Sequence, residues 1–116
     1  MRPLVQILDE FLTACLVAED AQNRGDSKTY NKQYRIKMKI RSDLKANPTY
    51  GLDKLLPFLE HENDYVRLAA AAHVMCIAAP KARKVLEELS KKRGIDAFNA
   101  SMFLSEWDKG NISNLC

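Results

Sequence analysis

The chain has 116 residues, a hydrophobic share of 47% and a formal net charge of +3. That length is typical of one domain, the composition excludes wholesale disorder, and the charge is too small to demand a nucleic-acid partner. No apolar run reaches the roughly 20 residues of a membrane span, and Cys15, Cys76 and Cys116 form no C-x-x-C pair, so neither a disulfide framework nor a zinc site is suggested.

The N-terminal run MRPLVQILDEFLTACLVAED places Asp9 and Glu10 where a signal peptide has its apolar core. It reads instead as an amphipathic helix over about 3–23, and the chain as cytoplasmic. Leu4, Ile7, Leu8, Phe11, Leu12, Cys15 and Ala18 share one broad face. Pro3 suits the first turn and Gly25 a left-handed cap at the end. A second helix starts at Asp26 or Ser27, both good N-caps, and runs to about 46, since Pro48 disfavours helix at Asn47. A short helix over about 52–59 contains Pro57, which predicts a kink or a fresh turn.

Asn63 or Asp64 caps a fourth helix predicted to reach 78 or 79. Its AAAA tract allows close backbone approach, so this helix is expected to be central. Pro80 opens a fifth helix to about 93, with Gly94 as its C-cap. A last helix over about 96–108 is expected to bury some of Ala97, Phe98, Met102, Phe103 and Trp107. Almost nothing alternates with period two, so the fold class is all-α: a single domain over 1–110 and a frayed tail over 111–116.

Residues 55–71, LLPFLEHENDYVRLAAA, resemble the turn and second-helix start of a HEAT repeat. Leu55, Leu56, Leu59, Val66, Arg67, Ala70 and Ala71 match that pattern, while His61 stands where the family usually has Asp. The resemblance implies a right-handed stack of helical hairpins with about six helices, and Arg67 as the structural tie of the turn. In length and layout the chain is similar to a small bacterial HEAT-like family of unknown function. Some small helical proteins of this appearance are immunity proteins that occlude a toxin's active site. By that analogy the chain is a non-enzymatic, cytoplasmic binding module for one protein partner, such as a toxin domain.

Two surfaces are candidates for the contact. Glu60, His61, Glu62, Asp64 and Tyr65 would project from one end of the hairpin and complement a basic cleft. Alternatively, Lys28, Lys32, Arg35 and Lys39 fall within an arc of about 60° on the second helix and could track nucleic-acid phosphates. Lys37 and Arg41 lie between apolar neighbours on that helix and would snorkel or pair with acids of the first. No nucleophile elbow, P-loop or dinucleotide fingerprint is present, so neither a catalytic set nor a cofactor is expected, and a metal site on the His61 loop would need convergent ligands. The oligomeric state stays open.

Overall fold

The computed structural model describes residues 2–112. Among them are five α-helices and one 3₁₀-helix, and no strand: α1 (Leu4–Arg24), α2 (Ser27–Ala46), the 3₁₀-helix (Leu52–Glu60), α3 (Asp64–Val74), α4 (Ala79–Ser90) and α5 (Ile95–Asp108). The all-α expectation therefore holds. No helix of the described residues is long and apolar enough to cross a membrane. The chain divides into two compact units, with the boundary after Lys54.

The first unit is a hairpin of α1 against α2. Gly25 adopts φ 72°, where a side chain would be strained, and the Asp26 N–H closes the helix end on the Ala21 carbonyl at 2.8 Å. Asp26 then caps α2, its carboxylate accepting from the Thr29 N–H at 3.1 Å. A connection this short makes the two helices antiparallel. At the open end Arg2 accordingly pairs with Glu10 and with Asp43, the latter at 2.9 Å. Ile7, Phe11, Ala14, Cys15, Ala18 and Ala21 are buried along α1 at helical spacing. The buried stripe of α2 is Lys37, Ile40, Arg41 and Leu44, so both cations lie in the interior. Lys37 Nζ stands 5.8 Å from the centre of the Tyr30 ring, a cation–π contact. Cys15 is a buried free thiol. Burial pushes it up to about 12.

The short helix expected around Pro57 is a 3₁₀-helix. Pro57 supplies no N–H and its ring crowds the carbonyl four residues back, and the whole segment takes the tighter winding. Leu52, Leu55 and Leu59 are its buried residues.

The second unit is built on α3, which packs against both α4 and α5. No residue of α3 is exposed, and Ala70 and Ala71 have no accessible surface, so the alanine tract makes this helix central, as expected. It is shorter than predicted, ending at Val74, where turns follow and the Ala78 N–H folds back onto the Val74 carbonyl at 2.8 Å. α4 also ends early, at Ser90. Gly94 is the N-cap of α5 and not the C-cap of α4; its φ of 104° turns the chain into the next helix. On α5 the buried residues are Ala97 and Ala100, while Phe98 is 62% exposed and Met102 45%. Small residues take the close-packed side and leave the large ones outside. Cys76 is disulfide-bonded, which corrects the expectation that the cysteine spacing suggests no disulfide. Gly110 to Ile112 are in turns; Cys116 and the rest of the predicted tail, 113–116, lie outside the described residues.

Candidate functional site

The second unit carries an open groove of about 780 Å³ between the end of the 3₁₀-helix with its following turn and α4. The turn is set by local hydrogen bonds. His61 Nδ1 accepts the Asn63 N–H at 3.0 Å, which leaves the proton of the neutral ring on Nε2. Asn63 in turn caps α3, its side-chain oxygen accepting from the Val66 N–H at 3.0 Å.

Arg67, one turn into α3, lies at the base of the groove with its side chain 18% exposed. Its Nε–H donates to the Leu59 carbonyl at 3.1 Å, and its terminal nitrogens reach Asp64 at 3.5 Å and Glu88 at 2.9 Å. Asp64 also accepts from Lys92 Nζ at 2.8 Å. The hydrogen bond from Lys92, with the charge of Arg67 beside it, holds the Asp64 carboxyl below its ordinary range. One guanidinium thus ties the 3₁₀-helix, α3 and α4 together.

The remaining charges sort by side. Glu60 ends the 3₁₀-helix, Glu62 stands on the turn after it, and Lys81 and Lys84 stand on α4; all four are exposed, and none makes an ion pair among the described residues. Leu56, Pro57 and Val85 supply apolar lining to the same groove. With the paired Asp64, Glu88, Arg67 and Lys92, the groove holds four carboxylates and four cations. Its own net charge is therefore close to zero.

The predicted loop is only partly as the sequence suggested. Glu60, His61, Glu62 and Asp64 do line one site. Tyr65 does not project with them: it is 3% exposed, because the first turn of α3 is buried almost all round. Asp64 is neutralised by its partners, so the loop is not a uniformly acidic surface. Among the described residues no group of three or more His, Cys, Asp or Glu side chains is arranged to hold a metal ion. The α4 wall was missed, although Lys81, Lys84 and Glu88 recur at helical spacing on one face, with Lys92 just beyond the helix end.

The alternative basic face is in the first unit. Lys28, Lys32, Arg35 and Lys39 are all exposed, on the side of α2 opposite its buried stripe. Lys39 pairs with Asp43 at 3.3 Å, and the other three make no ion pair among the described residues.

Two comparisons place the chain among known proteins. A crystal structure of the protein RPA1889 from Rhodopseudomonas palustris CGA009 is similar at a TM-score of 0.90 and 26% identity, covering 97% of this chain and 94% of that one. No curated protein matches. Neither that structure nor the matching family model carries a HEAT, immunity or toxin description. The model, a domain of unknown function designated DUF2019, matches residues 3–108, so it spans most of both units and the chain belongs to the DUF2019 family.

Proposed function

We propose that the chain is a non-enzymatic protein-binding module that docks its partner in the groove between the 3₁₀ turn and α4. The observation that carries this reading is the division of charge. Charges at the base are satisfied internally, through Arg67, while those without an ion pair among the described residues stand on two different elements of a groove that also has apolar lining. An interface with an apolar centre and a charged rim has that anatomy. Arg67 braces the walls in place, so little ordering would be needed on binding. Occlusion of a toxin is one job such a module can do, but the balanced groove lacks the uniform acidity that a basic cleft would call for.

A second reading has its own support. Lys28, Lys32 and Arg35 form an exposed stripe with no internal ion pair among the described residues, the arrangement suited to phosphate contacts. One experiment separates the two. A photo-crosslinking residue is placed at Lys84 in one variant and at Lys32 in another, and both are irradiated in the source cells. Crosslinks from position 84 to one protein, lost when Lys81 is also changed to Glu, are the expected result. Crosslinks to nucleic acid from position 32, with none from 84, would replace the groove reading by the second.

A further inference from the structure

Resting on the groove as the docking surface, we infer that its occupant is a two-signed protein segment: apolar along its middle, cationic on the edge that meets Glu60 and Glu62, anionic on the edge that meets Lys81 and Lys84. Such a groove excludes as much as it attracts. A polybasic segment would satisfy Glu60 and Glu62 but bring like charge against the two lysines. A polyacidic segment or a nucleic-acid backbone would do the reverse against the two glutamates. Discrimination by misplaced like charge is an effective form of specificity. The paired charges at the base do not alter this balance, because Arg67 and Lys92 are already occupied by Glu88 and Asp64. Leu56 and Val85 line the space between the two sides and would receive the apolar residues of the segment. An amphipathic helix laid in a groove meets such a surface with its apolar stripe inward and its two polar edges toward the sides.

The test uses the full-length chain labelled with ¹⁵N and three synthetic amphipathic peptides of about 15 residues, each with the same apolar stripe. One has a Lys edge and a Glu edge, one has two Lys edges and one has two Glu edges. The two-signed peptide is expected to shift the amide signals of Leu56, Glu60 and Lys84 and to bind at least about tenfold more tightly than either uniform peptide. In the Glu60→Lys, Glu62→Lys double variant, where both sides are basic, preference should pass to the peptide with two Glu edges. Equal binding of all three peptides in the groove would overturn the charge inference and leave the docking surface standing. Absence of any groove shift with all three peptides would overturn both. A short single-stranded RNA that shifts the same amides would also overturn the inference.

Discussion

The Arg67 Nε–H donates to the main-chain carbonyl of Leu59 at 3.1 Å. This contact joins α3 to the last turn of the 3₁₀-helix. The same guanidinium holds Glu88 on α4, so removing it opens the groove at its base and leaves part-buried groups unsatisfied. Arg67→Ala should lower unfolding free energy by about 1–3 kcal/mol in urea titrations. Arg67→Lys should recover less than half of the loss, because an ammonium cannot serve three directions as a planar fork does. A change near zero for the alanine variant would show that the tie contributes nothing.

Asp64 gives the pH signature of this network. Its folded-state carboxyl is held below the usual range, first by the hydrogen bond from Lys92. A depressed carboxylate contributes stability that is present above its unfolded value and is lost as pH falls through the folded one. Acid unfolding of the native chain should therefore begin at a higher pH than that of Asp64→Asn referred to its own neutral stability. Parallel stability–pH curves for the two proteins would remove Asp64 from the account.

Cys15 should be chemically silent in the folded chain. It has no accessible surface, and burial pushes its thiol up to about 12, so little thiolate exists near neutral pH. Iodoacetamide at pH 8, followed by peptide mapping, should label Cys15 only after denaturant is added. Labelling within minutes under native conditions would show that the first unit opens readily.

Lys37 is the counterpart case. It is 6% exposed, and burial lowers the pKa of its ammonium. The unfolded chain then holds this proton more tightly than the folded one. Stability from this group is missing while both forms are protonated, and it rises with pH from the folded value toward the unfolded one. Lys37→Met keeps an unbranched side chain, one atom shorter, without the charge. It should raise stability at pH 7 by about 1 kcal/mol or more and flatten the rise on the alkaline side. A loss of stability would show instead that the ammonium holds the hairpin together.

Most helix ends were legible because their causes are local. Asp26 and Asn63 cap the helices that follow them through contacts three residues away, and Gly25 stops α1 with a left-handed turn. Gly94 was assigned to the wrong side of its connection. A positive φ suits either a helix end or the residue before a helix, and sequence alone does not distinguish them.

The candidate site was half legible. Glu60, His61, Glu62 and Asp64 are neighbours along the chain, and a turn keeps them neighbours in space. Their basic counterparts are more than fifteen residues further on, and no local pattern links the two groups.

By itself the sequence determined the helices, their order, the central place of the alanine-rich α3 and the apolar face of α1, because periodicity and capping act within a few residues. Only the tertiary structure decided what each charge does. Arg67 meets Glu88 across 21 positions, and Lys92 meets Asp64 across 28. Those long-range pairings neutralise the base of the groove, while Glu60, Glu62, Lys81 and Lys84 make no ion pair among the described residues. Packing likewise decided that Tyr65 and Lys37 go inside while Phe98 and Met102 stay out. The space beside a helix depends on what is docked there, and that is a property of the fold and not of the helix.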